Sequence, residues 1–297
     1  MKTVIPDYYR EFNCLAAACR HNCCREGWEI DIDDRSCGKY RKAGGVFLEL
    51  VHFPTVQERR NGDTAHFIIN EQGVCPFQEE NGLCRMILDY GKQALCDICR
   101  DHPRFRNYYR NRLELGLGLC CEAAAMLVLG GTEPVRYEDL KTGEAQQPEY
   151  ARYIRPEEIG LMTGGEEFWD GLTELLLGQQ QQLEGDWTVL LRSMRETLAD
   201  TPEAAVSALL AADAGWEGRF GRLREYLLFR HYRKRGRAFT AVMWNLLLRL
   251  CETVFLRDGE LNPASAAEAV RVWSSEIEYS EENMLEICSY CERMTDA

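Results

Sequence analysis

Fourteen cysteines punctuate this chain of 297 residues, and eleven of them fall before residue 122. They form three groups: Cys14, Cys19, Cys23 and Cys24; Cys75, Cys84, Cys96 and Cys99; and the adjacent pair Cys120–Cys121, with Cys37 between the first two groups. Thiolates two to four residues apart in a turn can converge on one metal, with sulfur–metal distances near about 2.3 Å. Cys96-x2-Cys99 has that spacing, and Cys19-x3-Cys23 comes close. Neighbouring side chains diverge, so one of Cys23/Cys24 and one of Cys120/Cys121 is expected to point elsewhere. A lone buried cysteine is also an ordinary small hydrophobe. That explains Cys251, set in an apolar stretch, and Cys288-x2-Cys291 has no partner pair nearby. It does not explain the clustering.

Zinc and iron–sulfur centres both take four thiolates. A zinc ribbon shows two C-x2-C knuckles about 15–20 residues apart, and this region has one. The irregular spacings, the surplus of cysteines and Cys75-Pro76 fit an iron–sulfur cluster, 4Fe-4S, better than zinc, which stays as the alternative. The expected ligands are Cys75, Cys84, Cys96 and Cys99, with Cys14, Cys19, Cys23, Cys24 and Cys121 as second candidates. Arg100 and Arg104, close behind this group, could offset thiolate charge or clamp a carboxylate. His21 and His102 read as hydrogen-bonding residues. No phosphate-binding loop, nucleophile elbow or His-Glu-x-x-His motif is present.

The opening Met1–Cys14 lacks an apolar core and is not a signal peptide, and no apolar run reaches 18 residues. A cytoplasmic protein with reduced thiols is expected, without membrane association. Charge divides the chain. Residues 1–121 carry 17 Lys+Arg against 17 Asp+Glu, so the net charge of −13 lies in the remainder. That balance argues against nucleic acid as a partner. Arg219–Arg237 is locally basic and reads as one face of an amphipathic helix.

The elements that must carry the cysteines are short. Alternation predicts strands at Trp28–Asp33, His66–Asn70 and Leu113–Leu119. Helices are expected from Asp34 to Gly44, from Leu83 to Gly91 and from Cys121 to Gly130. Residues 131–165, rich in Pro and Gly, read as a linker. Helices then follow over 166–183, 187–199, 203–213, 217–235, 238–257, 264–276 and 281–294. The fold class expected is mostly α, with an α+β cysteine-rich domain over 1–130 and a helical domain over 166–297.

Together these stretches resemble the bacterial flagellin lysine-N-methylases. The resemblance lies in Tyr8-Tyr9-x2-Phe12-x-Cys14 and in Cys19-x3-Cys23-Cys24-x2-Gly27-Trp28-x-Ile30-x-Ile32. It continues through Cys75-Pro-Phe77, Asn81-Gly-Leu-Cys84, Leu95-Cys-Asp-Ile-Cys-Arg100, Pro103-Arg104 and Cys121-Glu-Ala-Ala124, with an island at Glu225-Tyr-Leu-Leu-Phe-Arg230. Two departures are the shorter helical part and Glu122 where the family usually has proline. The resemblance implies methyl transfer from S-adenosylmethionine to lysine side chains of flagellin, or of another protein substrate, by an enzyme with an iron–sulfur cluster. A lysine amine must lose a proton before it attacks a methyl donor, and Asp97, Asp101 and Tyr108 are the candidate bases beside the motifs. The alternative is a non-enzymatic iron–sulfur or zinc protein that binds a partner through its helical domain.

Overall fold

The computed structural model describes residues 1–25, 27–160, 165–179, 185–197, 207, 210–211 and 213–295. The chain forms two compact units: Met1–Phe12 together with Phe105–Ala297, and Asn13–Arg104 inserted between them in sequence.

The Asn13–Arg104 unit is a set of short elements. Asp33, rather than Asp34, caps the first helix, α1 (Asp34–Ala43), by accepting from Ser36 N–H, and Gly44 at φ 69° ends it. There follow α2 (Val46–Leu50), a strand pair made by Val51–His52 and His66–Phe67, α3 (Val56–Arg60), α4 (Arg85–Tyr90) and α5 (Asp97–Asp101). The expected strand at Trp28–Asp33 reduces to a single bridge, Asp31 to His66. Its core joins Ile30, Ile32, Tyr40, Phe47, Phe67, Phe77 and Met86 with Cys37, Cys75 and Cys96. Tyr40 stacks on Phe47 with ring centroids 4.7 Å apart. So small a core gains much from a cross-link or a metal.

The other unit opens with β1 (Lys2–Pro6), which pairs in parallel with β3 (Arg112–Leu117); β2 (Arg104–Tyr108) lies outside β3. Helix α6 (Glu122–Gly130) follows. Residues 131–165, expected as a linker, carry β4 (Tyr137–Asp139), antiparallel to β1, and β5 (Ala145–Gln146). Strands of two or three residues have no readable periodicity, which is why the pattern of Pro and Gly dominated.

Helices α7 (Glu166–Gly178), α8 (Gly185–Thr197), α9 (Gly215–Leu227), α10 (Arg233–Asp258), α11 (Pro263–Trp273) and α12 (Glu281–Thr295) complete this unit. The expected helix over 203–213 lies largely outside the described residues. Helix thus dominates over a small mixed sheet, as the composition pattern led one to expect. The Gly215–Asp258 run is long and apolar enough to cross a bilayer by composition alone, but 83% of its apolar window is buried inside the protein. Such burial is that of a core helix. Pro263 sits in the first turn of α11, behind an Asn262 side chain that accepts from Ala264 and Ser265 N–H. Two π-helical turns interrupt the regular hydrogen bonding, at Leu228–Tyr232 and Ser274–Glu278.

Candidate metal centre

Within Asn13–Arg104, backbone pairing gathers cysteines that are far apart in sequence. Cys75 N–H donates to Cys24 C=O at 2.8 Å, fixing the first cysteine segment against the second. A tight turn then returns the chain: Glu79 N–H bonds Leu83 C=O at 2.9 Å and Arg85 N–H bonds Phe77 C=O at 2.8 Å. Cys84 is thereby bridged to Gln78. Gly82, at φ 80° and packed on Ala17, is the position where that turn needs glycine. Cys96 caps α5, so Cys96 and Cys99 stand three residues apart on one face of its first turn.

Six thiols share the resulting neighbourhood. Cys24 hydrogen-bonds to both Cys23 and Cys75, and Cys96 to Cys99. The S–H of Cys24 pulls the Cys75 thiol below its usual range, and the Phe77 N–H helps. The Cys99 S–H and N–H do the same for Cys96. The donors respond in the opposite sense: Cys24 is pushed up by its bonds to Cys23 and Cys75, and Cys99 by its bond to Cys96. Cys84 is pushed up first by burial, with Cys75 and Cys23 adding their charge, and Cys99 also feels Cys75 and Cys23. Several thiols gathered in one neighbourhood are the donor type that zinc and iron–sulfur centres take, as thiolates. The donor set therefore fits a thiolate-bound metal.

Cys23 and Cys24 both belong to this neighbourhood, contrary to the expectation that one would point away. The turn closed by Arg25 N–H to Asn22 C=O, at 2.7 Å, removes the alternation of an extended strand. Other second candidates have local partners: Cys14 Sγ accepts from Ala16 N–H at 3.4 Å, and Cys19 donates to His21 C=O at 3.2 Å. Cys121 caps α6 in the other unit, beside a fully buried Cys120 that hydrogen-bonds Tyr279.

A carboxylate holds two of these segments together. Asp33 accepts from Ser36 N–H at 2.9 Å and from Asp97 N–H at 2.8 Å. Burial works against its charge, but these N–H groups outweigh it and hold Asp33 below the usual carboxylate range. Tyr40 donates to Ala94 C=O at 2.5 Å, one residue before Leu95-Cys96. His102, against Trp28 with centroids 6.0 Å apart, is driven down to about 4 by burial and is neutral. Of the candidate bases, Asp97 pairs with Arg35 at 2.9 Å and with Arg100 at 2.7 Å, and Asp101 pairs with Arg100 at 3.2 Å. Tyr108 is exposed on β2. Arg100 is thus occupied by carboxylates, and Arg104 opens β2.

The larger unit holds a polar cluster that the sequence pattern did not single out. Glu278, in the second π-turn, accepts from Tyr226 OH at 2.7 Å and Ser274 OH and pairs with Arg230 at 3.1 Å and His231 at 2.5 Å, both in the first π-turn. Arg230 lies over Phe105 at 4.8 Å and Tyr279 at 5.2 Å. π-turns often mark functional positions. The island Glu225–Arg230 ends at this cluster and was the available signal for it.

Comparison with curated proteins gives a partial match. The resemblance is to lysine-N-methylases. The chain is 27% identical over 127 residues to the Lysine-N-methylase of Salmonella typhimurium, covering 42% of this chain and 31% of that protein. The Lysine-N-methylase of Salmonella choleraesuis matches to the same extent. The Flagellar biosynthetic protein FliU of Salmonella muenchen is 24% identical over 140 residues, 46% of this chain and 82% of that protein. The match spans about a third of the length of the lysine-N-methylases. No family model matches the chain, and no solved structure does.

Proposed function

We propose that this chain is a cytoplasmic protein lysine N-methyltransferase, acting on flagellin with S-adenosylmethionine as donor and carrying a 4Fe-4S cluster on Cys75, Cys84, Cys96 and Cys99, with Cys23 and Cys24 alongside. The similarity to proteins named Lysine-N-methylase carries the activity, and the name of the third relative points to the flagellum. The joined thiols support the metal. In the reaction a lysine amine gives its electron pair to the methyl carbon, the carbon–sulfur bond breaks with its pair going to the sulfonium sulfur, and the proton of the lysine ammonium passes to a base. The cluster, when bound, would tie the 23–24, 75–84 and 96–99 segments into one fold.

Confinement of all six thiols to Asn13–Arg104 also supports a second reading, a self-contained iron–sulfur or zinc module that binds a partner without catalysis. Incubation of anaerobically reconstituted protein with methyl-labelled S-adenosylmethionine and flagellin separates the two. The enzyme reading expects labelled lysine; no label, with donor binding demonstrated, contradicts it.

A further inference from the structure

Buried arginines in the larger unit normally come with partners. Arg222 donates to the carbonyls of Leu127, Val128 and Glu133, Arg230 pairs with Glu278, and Arg271 pairs with Glu268 at 2.8 Å. Arg249, on α10, is 6% exposed, and its guanidinium lies 4.2 Å over the Trp169 ring. Among the described residues it forms no hydrogen bond or ion pair through that group. One turn along the same helix, Glu252 is 5% exposed. The buried Nε of Arg249, Oε2 of Glu252 and Nε1 of Trp169 are all without hydrogen-bond partners. The cation, the indole beneath it and the carboxylate one turn along the helix thus each keep a buried polar atom unpaired, where such groups are ordinarily paired.

The charges are under tension as well. Burial lowers Arg249 to about 10 and raises Glu252 to about 7, and each is only partly restored by the other. The complement is a ligand with a carboxylate and an ammonium on adjacent positions and an apolar body to lie against the indole.

We infer that Arg249, Glu252 and Trp169 bind the zwitterionic end of an α-amino acid, its carboxylate on Arg249 and its ammonium on Glu252. Free amino acids carry this group, and so does the methionyl end of S-adenosylmethionine; in that second case the inference rests on the proposed function.

Calorimetry on the full chain with S-adenosylmethionine, L-methionine and L-lysine tests it, without reference to methyl transfer. At least one probe is expected to bind saturably, and Arg249→Met or Glu252→Gln should weaken it tenfold or more. Binding by S-adenosylmethionine alone assigns the donor, and binding by a free amino acid assigns that class. Removing the carboxylate from the probe that binds should weaken the wild type but leave Arg249→Met unchanged, a comparison that holds even if the variant is less stable. No saturable binding by any probe, or equal loss on removing the carboxylate in wild type and Arg249→Met, overturns the inference.

Discussion

Asp33 Oδ2 accepts a hydrogen bond from the backbone N–H of Asp97 at 2.8 Å, while its other oxygen caps α1 through Ser36 N–H. One carboxylate therefore fixes two helix starts, and the second is the turn that presents Cys96 and Cys99.

Asp33→Ala should lower stability by about 1–2 kcal/mol, the usual worth of an N-cap, and Asp33→Asn should recover part of it. Urea unfolding of the three proteins is the check, with metal content measured on the same samples. An alanine variant with unchanged stability would show that the link does not matter.

Glu114 is fully buried on β3, accepts from Glu149 N–H at 2.6 Å, and is raised to about 7 mainly by burial. A carboxyl group raised in the folded state favours folding in its protonated form. That contribution is complete below the unfolded value near about 4.3 and is lost as pH rises through about 7. Stability measured from pH 4.5 to 8 should fall along this limb, and Glu114→Gln should flatten it. Parallel profiles would contradict the assignment.

Two glycines of α9 should respond in opposite senses. A Cβ on Gly218 would stand 2.0 Å from the Thr132 carbonyl oxygen, whereas one on Gly221 meets nothing within 4 Å. Gly218→Ala should cost about 1–3 kcal/mol through steric overlap, and Gly221→Ala should stabilise by about 0.5–1 kcal/mol through helix propensity. Thermal unfolding of both decides.

Arg230→Met leaves Glu278 buried with its arginine partner gone and should cost about 3–5 kcal/mol. Replacing Glu278 by Leu in the same chain should return a large part of this. If the single variant is as stable as the parent, the two π-turns are not held by this pair.

Local signals were legible in the sequence. Gly44, Gly91 and Gly130 mark helix ends because the stop chemistry lies in the residue itself, and Pro263 marks a start. The capping residue was misplaced by one, since Asp33 and Asp34 offer the same side chain. The short strands β4 and β5 were not legible, and neither was the parallel pairing of Lys2–Val4 with Arg112–Glu114, because sequence patterns do not encode partners a hundred residues away. The clustering of cysteines in the sequence pointed to the unit in which six thiols gather. The inclusion of both Cys23 and Cys24 depends on a turn and on the Cys75–Cys24 backbone bond, which spacing alone does not contain. The Arg230–Glu278 cluster escaped because two π-turns make its neighbours, and these have no side-chain periodicity.

The most direct test of the account is the iron and sulfide content, with the visible spectrum, of protein purified without oxygen. Four irons and four sulfides per chain with an absorbance band near about 400 nm are expected for a cluster of this type. Cys75→Ser, Cys84→Ser and Cys99→Ser should bleach it, while Cys251→Ser and Cys288→Ser should not. Zinc alone in the wild-type protein, or equal metal loss in both sets of variants, would contradict it.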